Sequence, residues 1–578
     1  MRFSRLTAVF VLLLVPVSFA VGQTTDFPFS WDQATVYQVI TDRFSNGDSG
    51  NDGAYGRGLD GNGSPYAIDS TGHFLGGDFS GLQSWIEEDY FNDLGVNVLW
   101  ISAPYEQIHG WVGGGSGEFQ HYAYHGYWPL DFTEVDKAFG SKEDFASLVD
   151  SAHEKGIRVV LDVVLNHVGY ATLDDMAAFD FGGLTDDNWR DWRPASKVGW
   201  QSYHDRFLTY ADSSDAWQRW WGPDWVRSDL PGYEPCGSDE YSECVHMLPD
   251  IRDDIAVRGL PAHLMLKWGA DKSSTEQASL DSFFERTRLQ RTAANHVIKW
   301  LSDWVGEFGI DGFRLDTAKH IAPETLNRLK TEATLALSTW KEANPEKALD
   351  DSDFWMTGEV FGHGLEPSAY FDHGLDSVLN FDFQTDIQAQ PETHFSSYAE
   401  QINTNSSFNV LSFISSHDTS LHDRSDLMDA GTRLMLSPGG VVLFYGDESA
   451  RPLGAGNAEE VDRTRSLMNW ATVDEEVHAH WKKLGSFRAA HPAIATGGHD
   501  QLQDEPYAFY RGVRVGAEED QVIVVLGAEG RTRLNVSVVW PDDTVLRDAY
   551  TGKISIVSFG QITLNADPSG VMLLEEVK

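Results

Sequence analysis

RVVLDVVLNHVG, residues 158–169, holds four valines and three leucine or aspartate positions in its first eight residues, and then turns polar at Asn166 and His167. A half-buried strand alternates apolar with polar, whereas a near-continuous apolar run belongs to a strand covered on both faces, as in a parallel sheet flanked by helices. Seven further runs read the same way: ATVYQVI (34–40), VNVLWIS (96–102), GFRLD (312–316), WMTGEVF (355–361), VLNFDF (378–383), NVLSFIS (409–415) and VVLFYGD (441–447). Eight such strands alternating with helical stretches predict an α/β fold, a (β/α)8 TIM barrel. The connecting helices have legible ends. In SKEDFASLVDSAHEKGIR (141–158), Ser141 and Asp144 form a capping-box pattern, Phe145, Leu148 and Ala152 share a face, and Gly156 closes the helix.

The third and fourth strands begin at residues 158 and 312, much farther apart than one strand–helix unit needs, so a subdomain inserted after strand 3 is expected over 167–271. It is rich in Trp, Asp and Gly and contains both cysteines, Cys236 and Cys244. In an oxidising compartment these would close a small disulfide loop; the other reading is two free thiols. The barrel then occupies 24–166 and 272–489. From about residue 490 the pattern changes to short alternating strands and turns, in DQVIVVLGAEG (520–530), TRLNVSVVW (532–540) and SIVSFGQITLN (555–565), which predicts a C-terminal antiparallel β-sandwich domain over 490–578.

The 578 residues carry 88 Asp and Glu against 43 Lys and Arg, a formal charge of −45. That excess argues against nucleic acid or an anionic membrane surface as a partner. With 41% hydrophobic and 12% aromatic residues the chain can nevertheless bury real cores. Residues 1–22, MRFSRLTAVFVLLLVPVSFAVG, read as a secretory signal peptide: Arg2 and Arg5, an apolar run from Leu6 to Val17, then Ser18 and Ala20. The run is short for a membrane span. An exported, periplasmic or secreted monomer with no membrane span is expected.

Barrel active sites lie at the C-terminal ends of the strands. Those ends hold Asp162 and Asn166-His167 on the third strand, Arg314, Asp316 and then Lys319-His320 on the fourth, Glu359 on the fifth and His417-Asp418 on the seventh. Singly, each has an ordinary reading as a turn former, a cap or an ion pair; together, at four strand ends, they make a site. Arg314 and Asp316 are two apart and share a strand face, so the guanidinium should favour an ionised Asp316, suited to a nucleophile. Glu359 has no basic sequence neighbour and is followed by Val360 and Phe361, which predicts a raised pKa suited to a general acid. Two carboxyls pushed apart in pKa are the signature of glycoside cleavage.

DVVLNHVG (162–169), GFRLDTAKH (312–320), GEVF (358–361) and FISSHD (413–418) resemble the four ordered motifs of the α-amylase family of retaining glycosidases, glycoside hydrolase family thirteen; YHGYW (124–128) and MLPDI (247–251) are further matches. The resemblance spans about residues 30–480. It implies that Asp316 is the nucleophile, Glu359 the acid/base and Asp418 a third catalytic carboxylate. It implies that His125, Tyr127, His167, Arg314 and His417 line the subsite of the sugar being cleaved, with Tyr127 offering a stacking face. Lys319 and His320 match a leaving-group pair typical of α-1,4 specificity, and Asp162 a supporting carboxylate.

The same resemblance implies Ca²⁺ held by Asn166, Asp250 and the backbone carbonyl of His320, between barrel and insertion. A second loop, FSNGDSGNDG (44–53) with FLGGD (74–78), resembles the calcium loop of cyclodextrin glucanotransferases, with Asn46, Asp48, Asn51, Asp52, Asp78 and the Gly76 carbonyl in ligand positions. Residues 106–128 look particularly like periplasmic α-amylases of Gram-negative bacteria, although the single cysteine pair departs from that group. The expected activity is hydrolysis of internal α-1,4 bonds in an α-glucan such as starch, glycogen or a maltooligosaccharide. A transglycosylating or cyclodextrin-forming relative would share every catalytic residue. A non-catalytic carbohydrate-binding homologue would be expected to lack one of Asp316, Glu359, Asp418 and Arg314, all of which are present.

Overall fold

A computed structural model describes residues 27–59, 62–64, 72–115, 117, 119–179, 181, 189, 207, 220–230, 232–386, 391–405, 408–455 and 459–577. The expected leader, 1–22, lies outside them, as does much of the stretch 182–219. Eight parallel strands close a barrel: β1 (Thr35–Val39), β2 (Val98–Ile101), β3 (Arg158–Val163), β4 (Gly312–Leu315), β5 (Trp355–Gly358), β6 (Ser377–Asn380), β7 (Val410–Phe413) and β8 (Gly440–Phe444). Each pairs with its sequence neighbours and β8 returns to β1. Each of the eight sequence runs therefore contains one of these strands, and every residue of the eight strands is buried. The side chains divide as the pleat requires: Val36, Val98, Trp100, Val160, Leu411 and Val442 fill the barrel interior, while Tyr37, Leu99, Val159 and Val441 join the core beneath the helices.

The capping box is present at the helix Lys142–Glu154: Ser141 accepts from the Asp144 amide and Asp144 returns the bond. The loop after β2 carries an antiparallel pair, Tyr105–Gln107 with Pro129–Val135. It buries Glu106 and Asp131, which Lys267 bridges at 2.7 and 2.8 Å. Lys267 belongs to the helix Ala262–Thr287, which bends at Gly269, where φ is +70°. The expected end of the insertion at 271 falls inside this helix, two residues past the bend. Within the insertion Cys236 and Cys244 are joined by a disulfide.

The C-terminal domain is two-layered. A six-stranded sheet runs Gly498–Gln503, Tyr507–Val515, Glu518–Leu526, Met572–Glu576, Val545–Asp548, Lys553–Ile556 in spatial order, and a two-stranded sheet pairs Arg531–Asn535 with Gln561–Asn565. Alternation along Glu518–Leu526 explains the packing: Val522 and Val524 join the core shared with the barrel, whereas Ile523 and Val525 face the second layer with Leu534, Trp540 and Ile562. Among the described residues no helix is long and apolar enough to cross a membrane.

Candidate active site

The barrel ladder reaches just past β4 and β5 and aims two carboxyls. The Asp316 amide donates to the Val163 carbonyl at 3.0 Å and the Glu359 amide to the Leu315 carbonyl at 2.9 Å. Both side chains are buried and converge on one cation. Arg314 places Nη1 2.9 Å from Asp316 Oδ1 and 2.9 Å from Asp162 Oδ1, and Nη2 3.1 Å from Glu359 Oε2. Thr317, next to Asp316, has φ of +47°, a strained conformation for a β-branched residue, and in it donates its amide to Glu359 Oε2 at 3.1 Å.

This geometry corrects the electrostatics read from sequence. Glu359 has a basic neighbour in space: the same Arg314 that meets Asp316. Burial pushes the Asp316 carboxyl well above the usual carboxylate range, against Arg314 and with help from Glu359, Asp162 and Asp418 nearby. Arg314 alone therefore does not hold Asp316 ionised.

Asp418 behaves oppositely. Burial raises its pKa, but His417, Arg465 and Arg314 more than offset that and hold it well below the usual range. Its Oδ2 lies 2.8 Å from His417 Nε2 and its Oδ1 2.7 Å from Arg465 Nη2. Gln38 donates to His417 Nδ1 at 2.9 Å, so Nε2 carries the imidazole proton, with the Tyr127 hydroxyl at 2.7 Å and Asp418 at 2.8 Å both within its reach.

Asp162 lies beneath, receiving Arg314, the Trp100 indole N–H at 3.1 Å and the Tyr127 hydroxyl at 2.7 Å. Tyr127 stacks between His125 and His417, with ring centroids 5.4 Å from each, and its ring stays part-exposed. His125 accepts the Tyr127 amide on Nδ1 at 3.1 Å, which leaves a buried Nε2–H without a partner among the described residues. Burial pushes His125 well below its ordinary value and His167 down to about 4, so both are neutral near pH 7. His167 Nε2 donates to the Tyr127 carbonyl at 3.1 Å and stands 4.0 Å from Asp316 Oδ2. The structure thus brings together Asp162, His125, Tyr127, His167, Arg314, Asp316, Glu359, His417 and Asp418. Lys319 and His320 follow on a short 3-10 turn, Ala318–His320, and His320 Nδ1 faces the disulfide loop, 3.1 Å from the Glu240 carbonyl and from Glu243 Oε1.

Trp100, Gln38 and Arg465 escaped sequence reading. The first two belong to β2 and β1 and point inward with the period of the strand; Arg465 sits in a loop and has no such signal.

For metal binding, no group of three or more His, Cys, Asp or Glu among the described residues is gathered tightly enough, so either expected calcium site must draw on amide and carbonyl oxygens. The N-terminal loop fits that chemistry. A Cβ on Gly76 would lie 2.4 Å from Asn46 Nδ2 and 2.5 Å from Asp52 Oδ1, and Asn51 Oδ1 is buried without a partner among the described residues. Asp78 closes the loop by accepting the Gly47 and Asp48 amides at 3.0 and 2.7 Å. Asn166, Asp250 and His320 also border one cavity of about 340 Å³ between barrel and insertion. There, however, Arg227 holds Asp250 Oδ2 at 2.8 Å, so one carboxylate oxygen is already committed.

Residues 38–218 and 274–450 match the family model described as alpha amylase, catalytic domain. The chain is 44% identical over 523 residues to the periplasmic alpha-amylase of Escherichia coli (strain K12), covering 87% of this chain and 73% of that protein. It is 25% identical over 537 residues to a cyclomaltodextrin glucanotransferase of Bacillus sp. (strain 1011), covering 88% of this chain and 63% of that one. In three dimensions it is similar to an Anoxybacillus alpha-amylase, with a TM-score of 0.60 at 20% identity, over 95% of this chain and 99% of that one.

Proposed function

Because the chain belongs to the alpha-amylase family and is a glycosidase, we propose that it cleaves internal α-1,4-glucosidic bonds of starch, glycogen and maltooligosaccharides with retention, through a covalent glycosyl-enzyme on Asp316. The observation that carries this reading is the single Arg314 guanidinium held between two buried carboxyls on adjacent strands. Retaining cleavage needs two carboxyls on one scissile bond, one attacking and one protonating.

In the productive form Glu359 carries the proton it donates, and Arg314 Nη1 steadies the Asp316 anion. An Asp316 oxygen attacks the anomeric carbon while Glu359 gives its proton to the departing glycosidic oxygen. Water then enters; Glu359 takes its proton, the hydroxide oxygen bonds to the anomeric carbon and Asp316 leaves. Asp418, kept anionic, holds sugar hydroxyls and offsets the positive charge of the oxocarbenium-like state. His125 offers its free N–H to a sugar hydroxyl, and the exposed part of the Tyr127 ring packs against the sugar. Lys319 and His320 stand on the leaving-group side.

A time course on maltoheptaose and soluble starch tests the reading. Linear products of intermediate length released first as α-anomers are expected; β-anomers, or cyclic and lengthened products in excess of hydrolysis, would overturn it.

We assign Ca²⁺ to the N-terminal loop through Asn46, Asp48, Asn51, Asp52, Asp78 and the Gly76 carbonyl, and to the Asn166, Asp250 and His320 set at the insertion. Bound there, the ion neutralises carboxylates and ties segments together. Chelation should lower the melting temperature and added Ca²⁺ restore it, by linkage; an unmoved transition at every chelator concentration contradicts both assignments. Export is supported by the leader-like residues 1–22 and by the disulfide, and a catalytic set drawn from one chain supports action as a monomer.

A further inference from the structure

Asp418 differs from the other two catalytic carboxyls in how it is held. Asp316 and Glu359 each follow directly on a strand and keep a ladder hydrogen bond. β7 ends at Phe413, five residues before Asp418, and the Asp418 amide is taken by the neighbouring Ser416 hydroxyl at 3.1 Å. The barrel itself therefore does not aim this side chain.

What holds it comes from the loop after β8. Thr464 donates its hydroxyl to the His417 carbonyl at 3.0 Å, and Arg465 donates Nε to the same carbonyl at 3.2 Å. Arg465 then reaches Asp418 Oδ1 with Nη2 at 2.7 Å, and its side chain is only 10% exposed. One guanidinium thus grips both the backbone before Asp418 and the carboxylate. It also changes the charge balance of the mouth. Asp162, Asp316, Glu359 and Asp418 converge there, and among the described residues Arg314 pairs with the first three, whereas Arg465 is the arginine that pairs with the fourth.

We propose that Arg465 is a positioning residue of the reaction, which fixes the direction and the negative charge of Asp418 from outside the barrel strands. An arginine suits the task because its planar fork can serve a carbonyl and a carboxylate at once, which a lysine ammonium does less well. Misplacing a catalytic group by about 1 Å can cost about a hundredfold in rate. The loss should fall on kcat, since Asp418 acts mainly on the charged transition state.

The inference rests on the assignment of Asp418 as a catalytic carboxylate, and Asp418→Asn separates the two: near-normal hydrolysis in that variant would sink the assignment itself. For Arg465, the R465A and R465K variants are assayed on maltoheptaose beside their melting temperatures, with and without guanidinium chloride at tens of millimolar and urea as control. Expected for R465A is a kcat lower by about ten- to a hundredfold with KM changed by less than about threefold. Guanidinium, but not urea, should return a large part of the loss, and R465K should lie between. A kcat within twofold of the parent, or a loss relieved by neither guanidinium nor lysine, would overturn the role of Arg465 while leaving that of Asp418 in place.

Discussion

At Asp316 and Glu359, one arginine faces two carboxyls that sequence alone would give opposite neighbours. Burial raises Asp316, and the nearby carboxyls raise it further. The rate should fall on the acid side as the nucleophile becomes protonated, while Glu359 must deliver a proton to the leaving group. Glu359→Gln tests this division. General acid catalysis contributes about 10²- to 10⁴-fold, so kcat on maltooligosaccharides should fall by about that much. An α-maltosyl fluoride needs no proton for its leaving group and should retain far more of its rate. Unaltered starch hydrolysis in the variant would refute the assignment.

Among elements, legibility followed burial. The eight barrel strands were readable because burial on both faces leaves a continuous apolar run, and the motifs at their ends located the carboxyls that converge on Arg314. The pair Tyr105–Gln107 with Pro129–Val135 was not, because its buried Glu106 and Asp131 read as surface until Lys267, more than a hundred residues on, neutralises them. Arg465 was unreadable for a similar reason, since only the closed barrel brings it to Asp418.

The junction of the barrel with the C-terminal domain shows the same long-range pairing. The helix Glu475–Ala490 ends at His491, whose Nδ1 lies 2.8 Å from Asp520 and whose Nε2 lies 2.7 Å from Glu575, on two strands of the six-stranded sheet. Burial pushes this imidazole down, but the bonds to Asp520 and Glu575 outweigh it and raise its pKa to about 9. A group raised on folding stabilises fully below its unfolded pKa, about 6.5, and the contribution is lost as pH climbs through about 9. A shift of this size corresponds to about 3 kcal/mol. His491→Gln should therefore melt well below the parent at pH 6, with the gap narrowing by pH 9.5. A constant gap across that range would assign the stability to packing rather than to charge.

For the whole molecule, the charge of −45 outlasts its functional explanation. Asp48, Asp52, Asp78, Asp162, Asp250, Asp316, Glu359 and Asp418 have proposed work; setting these eight aside leaves 80 acidic residues against 43 basic ones. The remaining acids repel one another across the surface, and salt relieves that repulsion, because the screening length falls from about 30 Å at 0.01 M to about 3 Å at 1 M. This points to a surface suited to saline surroundings. The melting temperature should rise as NaCl increases over that range. A glucan carries no charge, so the field of the protein neither steers nor repels it, and kcat/KM on maltoheptaose should stay nearly flat over the same range. If melting temperature and activity instead both fell steadily with salt, surface repulsion would not be the quantity that the acidity controls. The excess of carboxylates would then have to act through specific pairs, which salt weakens, rather than through the summed field, which salt relieves.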